Sequence, residues 1–198
     1  MDILLSDPTK HPPLFSEGSL QIVAPTSVVA HLSVKTQFTK ATLVEAAKNI
    51  ARTQRVICRY AESANVWRGI CFFDVSDSRD ATSILDTVGD ALSEGVCAVY
   101  AETQSPAARR AIPALMPTSI VVLDRIAIFV KPAGPMSVTL HLFELGSTSV
   151  AAVFTDLFGS IQRWFGRSTP SEIEEMVRLL RSPPPLTKEI ELQGMLPR

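Results

Sequence analysis

The sequence predicts an α+β fold: an antiparallel sheet or small β-sandwich with packed helices, a flexible N-terminal arm and a flexible C-terminal tail. Three observations lead there. The stretch IVVLDRIAIFVKPAGPMSVTLHLFELG holds two apolar runs joined across KPAGP, and its second half alternates Val138, Leu140 and Leu142 with Thr139, His141 and Phe143. FTDLFGSIQRWFGR places Phe154, Leu157, Phe158, Ile161, Trp164 and Phe165 at helical spacing. Elsewhere short β-like runs follow one another with few helices between them, the pattern of hairpin-connected strands.

Residues 1–18 carry three prolines and Gly18 around one apolar pair, Leu14 and Phe15. This predicts a mobile arm with a single docking point. The domain proper is expected over residues 19–182. SLQIVAPTSVVAHLSVK reads as two strands broken at Pro25, with Val28, Ala30, Leu32 and Val34 on one face. His31, on the other face, is expected at the surface or at a sheet edge. A helix follows, where Thr42 and Glu45 have capping-box spacing and Leu43, Ala46, Ala47 and Ile50 form a stripe. QRVICRY and VWRGICFFDV predict a strand pair around AESAN.

The next helix is capped by Ser83 and Asp86, faces Ile84, Leu85, Val88 and Leu92 inward, and is closed by Gly95. Asp74, Asp77 and Asp80 lack the alternate spacing, the glycine and the distal glutamate of a calcium loop, so they read as turn and cap residues. VCAVYAE is expected to be a strand. TQSPAARRAIPALMPTS, with three prolines, predicts a long loop that either exposes Ile112, Leu115 and Met116 beside Arg109 and Arg110 or folds down over the core. After the helix at 154–167, TPSEIEEMVRLLRS predicts a further helix with acids early and Arg178 and Arg181 late. Residues 183–198, opening on PPP, are expected to be an unfolded tail.

At 198 residues, 46% hydrophobic and 20% charged, the chain can bury a substantial core. A formal net charge of -1 argues against a broadly basic nucleic-acid binder. An anionic partner would have to meet a local patch, and the densest positive stretch is Arg52, Arg55, Arg59 and Arg68, set against Glu62 alone. It reads either as an RNA or phosphate contact or as a solvated face. No apolar run approaches the ~18 residues of a spanning helix, and MDILLSDPTKHPP lacks the basic region of a signal peptide. Cys58, Cys71 and Cys97 are odd in number and set in apolar runs, as expected of buried reduced thiols in a cytosolic protein. With no Cys-x-x-Cys and with His11, His31 and His141 dispersed, neither a metal nor a cofactor is expected. No nucleophile elbow or Gly-rich phosphate loop occurs, so an enzyme is not expected.

Four features stand in a telling order: the proline-containing arm DPTKHPPLF; the strand and helix AHLSVKTQFTKATLVEAAKNI; the central loop SPAARRAIPALMP; and the hairpin IFVKPAGPMSVTLHLFEL followed by C-terminal helices. In this order the chain resembles the matrix proteins of negative-strand RNA viruses, of rhabdovirus type and more distantly of bornavirus type. The arm departs from the family in carrying HPPLF and APTS where a PPxY or P[TS]AP budding motif is usual. The resemblance implies a structural protein of the host cytoplasm and virion that self-assembles, covers the inner face of a membrane and condenses the ribonucleoprotein. Its implied partners are further copies of itself, the viral nucleoprotein or ribonucleoprotein, an anionic membrane surface and RNA. It also implies that the arm docks on a neighbouring subunit through Leu14 and Phe15. The loop bearing Arg109, Arg110, Ile112, Leu115 and Met116 would touch lipid.

The helix at 154–167 has only Arg163 and Arg167 as cations, offset by Asp156, a poor polar face for a helix lying in a membrane. Its apolar face, with Phe158, Trp164 and Phe165, is therefore expected against the core or a neighbouring subunit. Two rivals stand beside the matrix reading. One is a plant-virus capsid or movement-type protein binding RNA through the Arg52–Arg68 region. The other is a cellular adaptor that uses the PPP tail as a polyproline ligand.

Overall fold

The computed structural model describes residues 1–9, 12–17, 20–60, 66–74, 80–102, 112–134, 136–167 and 185–191. In chain order its strands and helices are β1 (Asp2–Ser6), β2 (Phe15–Glu17), β3 (Leu20–Ile22), β4 (Val28–Gln37), α1 (Lys40–Tyr60), β5 (Trp67–Asp74) and α2 (Ala81–Ala101). There follow α3 (Ile112–Leu115), β6 (Ser119–Val122), β7 (Ile126–Gly134), β8 (Ser137–Glu144), α4 (Ser149–Trp164) and β9 (Leu186–Glu191). The architecture is α+β. One seven-stranded sheet runs β1-β4-β5-β6-β7-β8-β9, and β2 and β3 form a separate hairpin. The β4–β5 and β5–β6 pairs are parallel and the other neighbours antiparallel. Parallel neighbours need crossovers, which α1 supplies for the first pair and α2 with α3 for the second.

These crossovers place α1 and α2 on one face, over a core of Phe38, Leu43, Ile50, Ile70, Phe72, Ile84, Leu92, Ile120, Ile128 and Leu140. On the other face α4 covers a second cluster, in which Ala152, Val153 and Leu157 meet Trp67, Val121, Ala127, Phe129 and Phe143. The sheet is therefore buried on both sides at its centre, and β6 has four buried residues in a row, Ser119 to Val122. Runs of that kind are what a two-sided strand demands. A single sheet with helices on both faces replaces the sandwich alternative.

Local signals set the helix starts, one turn earlier than expected. At α1, Thr39 and Thr42 cap reciprocally: Thr42 N donates to Thr39 Oγ1 at 3.1 Å, and Thr39 N donates to Thr42 Oγ1 at 3.0 Å. At α2 the cap is Asp80, whose Oδ1 accepts from Ser83 N at 2.7 Å. The C-termini are corrected further. QRVICRY is the end of α1, not a strand, and VCAVYAE continues α2 straight through Gly95. The reason is a helical period that the β-branched residues mask. Val88, Leu92, Val96 and Val99 all pack into the core from one side of α2. Gly95 sits at the α1–α2 crossing, where an added Cβ would come within 2.8 Å of Ala47 Cβ and 2.9 Å of Val44 O.

Both termini are more ordered than expected. Residues 2–6 of the arm are β1, paired along β4, and Phe15–Glu17 pairs with Leu20–Ile22. In the tail, β9 pairs with β8, Ile190 is buried, and Lys188 Nζ donates to Asp86 Oδ1 on α2 at 2.7 Å. The helix expected in TPSEIEEMVRLLRS lies outside the described residues.

Candidate assembly surfaces

α4 is held to the sheet by a polar anchor. Asp156 Oδ2 accepts from Trp67 Nε1 and from Ser119 Oγ, each at 2.9 Å. The Trp67 ring lies over Gly69, two residues along the strand, in space that any side chain at that position would occupy. With the anchor fixing its rotation, the helix turns Val153, Leu157, Ile161 and Trp164 toward the protein and leaves Phe154, Phe158 and Phe165 outside. The two sets are centred about 80° apart around the helix. The single apolar stripe of the sequence is thus two stripes, one for the core and one unpaired. Phe154 is 55% exposed, Phe158 43% and Phe165 47%. Trp164 is half-buried and its Nε1 donates to Asp7 Oδ2 at 3.3 Å, so it ties α4 to the chain just after β1.

The β2–β3 hairpin carries a second exposed apolar group. Leu14 N donates to Ile22 O at 2.8 Å, and Phe15 stands opposite Ile22. Leu14, Phe15 and Ile22 are all exposed. The residues expected to serve self-assembly, Leu14, Phe15, Phe158 and Phe165, are therefore accessible, and Trp164 is partly so.

The expected lipid contact fares differently. Arg109 and Arg110 lie outside the described residues. Ile112, Leu115 and Met116 are 0%, 5% and 1% exposed and belong to the core under α1 and α2, so they are not a surface for lipid. Here the chain folds down as α3, one short turn that plugs the space before β6 with Ile112 and Leu115 and tolerates Pro113 in its first turn.

The arginine patch is corrected as well. Arg68 points into the protein: its Nε donates to Met116 O at 2.7 Å and Nη1 to Val66 O at 2.8 Å, and burial pushes its pKa down to about 10. Arg52, Arg55 and Arg59 share one face of α1, but Glu102 at the end of α2 meets two of them. Arg52 Nη2 donates to Glu102 Oε1 at 2.6 Å, and Arg55 Nη1 lies 3.6 Å from Oε2. That hydrogen bond raises the Arg52 pKa and lowers that of Glu102. Arg68 thus drops out of the patch, and Glu102 offsets one of the three remaining positive charges.

Sequence reasoning missed the cleft between β1, β4 and α1. About 340 Å³ in volume, it is lined by Asp2, Leu4, His31, Asn49, Arg52 and Thr53. His31 is 3% exposed, not a surface residue, because α1 packs over this face of β4 while β1 closes its edge. Its Nε2 is 3.9 Å from Asp2 Oδ1, and Nδ1 is buried without a hydrogen-bond partner. Burial lowers its pKa, against the opposing pull of Asp2.

Among the cysteines Cys58 is exposed, not buried as expected, whereas burial raises the thiol pKa of Cys71 and Cys97. Among the described residues no three His, Cys, Asp or Glu side chains converge as a metal site, and no helix is long and apolar enough to cross a membrane. Compared with models of protein families and with curated protein sequences, the chain matches none.

Proposed function

We propose that this is a structural protein of viral matrix type, which self-assembles, lines the inner face of a membrane and condenses the ribonucleoprotein. The observation that carries the assembly is the unpaired stripe of Phe154, Phe158 and Phe165 on α4, together with Leu14, Phe15 and Ile22 on the hairpin. Six large exposed apolar side chains on two elements of one domain exceed the scattered singles of an ordinary surface. Each buried phenylalanine contributes about 1.5–3 kcal/mol. Pairwise contacts are then modest, and a lattice of copies multiplies them. The membrane part of the proposal rests on the resemblance and on Arg109 and Arg110 as headgroup contacts, without the buried trio.

Two measurements test it. Sedimentation velocity over a concentration series should give assemblies larger than a dimer that are lost in Phe154→Ser, Phe158→Ser. Liposome co-sedimentation should show binding to anionic vesicles that weakens with salt and with Arg109→Glu, Arg110→Glu. Assemblies unaffected by the α4 changes would remove the carrying observation, and indifference to every liposome would remove the membrane role.

A further inference from the structure

Among the described residues β1 ends the sheet, and Asp2 is the one charged side chain along it. Met1 and Val34 exchange two hydrogen bonds, the Met1 amino group donating to Val34 O at 2.9 Å and Val34 N donating to Met1 O at 2.7 Å. The register then runs Asp2 opposite Ser33, Ile3 opposite Leu32 and Leu4 opposite His31. An antiparallel ladder bonds at every second residue, so Met1, Ile3 and Leu5 bond to β4, and the backbone N–H and C=O of Asp2 and Leu4 point away from it. Along the same strand Met1, Ile3 and Leu5 share one face and are 76%, 36% and 42% exposed. The opposite edge of the sheet, β9, displays Lys188, Glu189 and Glu191, charges of the kind that discourage pairing.

We propose that β1 pairs antiparallel with β1 of a second copy, about a two-fold axis at Ile3, joining two seven-stranded sheets into one. The occupant follows from the strand's own pattern. With the axis at Ile3, Asp2 of each copy faces Leu4 of the other, so like charges never meet. The outward groups of Asp2 and Leu4 close four interchain hydrogen bonds. On one face Met1, Ile3 and Leu5 of both copies form a continuous apolar strip. A bulge between Leu5 and Ser6, with Pro8 just beyond, ends the regular strand there. An axis at Leu4 would need Ser6 beyond that bulge, so the register at Ile3 is the one the strand can complete. The contact is isologous and closes on itself as a dimer. It is separate from the α4 and hairpin surfaces and stands whether or not those associate.

The test uses the full chain. Sedimentation equilibrium should show the dimer as the smallest species of the wild type, beneath any larger assembly, and as the main species once Phe154→Ser, Phe158→Ser removes the α4 surface. Leu4→Pro removes a donor that points away from β4, which an edge strand tolerates. It deletes two of the four interchain bonds, each worth about tenfold, and should weaken the dimer about 100-fold with the circular dichroism unchanged. Phe158→Ser should leave the dimer intact. In a Cys58→Ser background, Ile3→Cys should cross-link on oxidation, because the facing Cα atoms of such a pair lie about 4.5 Å apart. Leu4→Cys should not. A monomeric wild type, a dimer that survives Leu4→Pro in a natively folded chain, or cross-linking at Leu4→Cys in preference to Ile3→Cys would overturn the proposal. If Leu4→Pro does not fold, the cysteine pair decides.

Discussion

Two glycines of α2 make opposite predictions for the same substitution. Glycine in a helix interior costs about 0.8–1.0 kcal/mol relative to alanine, so Gly→Ala should stabilise wherever space allows. At Gly89 it does: the added Cβ would meet Ile190 Cδ1 at 3.3 Å, Lys188 Nζ at 3.4 Å and Lys188 Cε at 3.5 Å, all ends of flexible side chains. Gly89→Ala should gain about 0.5–1 kcal/mol and raise Tm by about 1–2.5 °C in a chain of this size. At Gly95 the obstacles are the backbone of α1 and a short side chain fixed to it. Ala47 Cβ at 2.8 Å and Val44 O at 2.9 Å fall well inside a normal contact, and neither can rotate away. The helices must move apart, at an overpacking cost of about 1–3 kcal/mol that outweighs the helix-propensity gain. Gly95→Ala should therefore lose about 1 kcal/mol and lower Tm by about 2–4 °C. Thermal and urea unfolding of the two variants against the wild type measure the contrast. A Gly95→Ala chain as stabilised as Gly89→Ala would refute the claim that the α1–α2 crossing is set by backbone contact.

Asp156→Ala leaves Trp67 Nε1 and Ser119 Oγ without their acceptor and should cost about 2–4 kcal/mol, with altered tryptophan fluorescence; Asp156→Asn, which keeps an acceptor, should cost less. Arg68→Met strands the carbonyls of Val66 and Met116 and should lower the urea midpoint by an amount equivalent to about 2 kcal/mol, part of the loss being offset by removing a buried charge. His31 gives stability a pH dependence. Its folded pKa is depressed by burial below the ordinary 6.5, so the unfolded chain binds the proton more readily. The contribution is complete above pH 6.5 and is lost as pH falls through the folded pKa, even though Asp2 pulls the other way. His31→Gln should flatten the slope of Tm against pH just below 6.5, and an unchanged slope would assign it to another group.

Where burial and period agree, the sequence was a sufficient guide. β4, β8 and the helical spacing of α4 appear as expected, whereas IVVLDRIAIFV, expected as one strand, is β6 and β7 folded about a turn at 123–125, and the expected turn residues 131–134 are paired within β7. The failures share a cause. The ends of α1 and α2 are rich in β-branched residues whose β-propensity is overridden by packing between the two helices. Ile112, Leu115 and Met116 look like a surface loop because prolines surround them, yet the space they fill is created by two crossovers that no local pattern reveals. The same holds for Arg68 and His31. Each is polar in sequence and buried in the fold, because strand order decides what lies across from it. Within α4, the split of one stripe into two depends on Asp156 reaching Trp67, a contact 89 residues apart in sequence.

Arg68 grips the chain at two distant places, just before β5 and just before β6, with one rigid group. The connection through α1 and the connection through α2 and α3 each end under that hand. Neither can swing open while the other stays shut without leaving a guanidinium or a carbonyl stranded in apolar surroundings. The two crossovers should thus melt and exchange their amide hydrogens as one cooperative unit, although they are built from separate stretches of sequence.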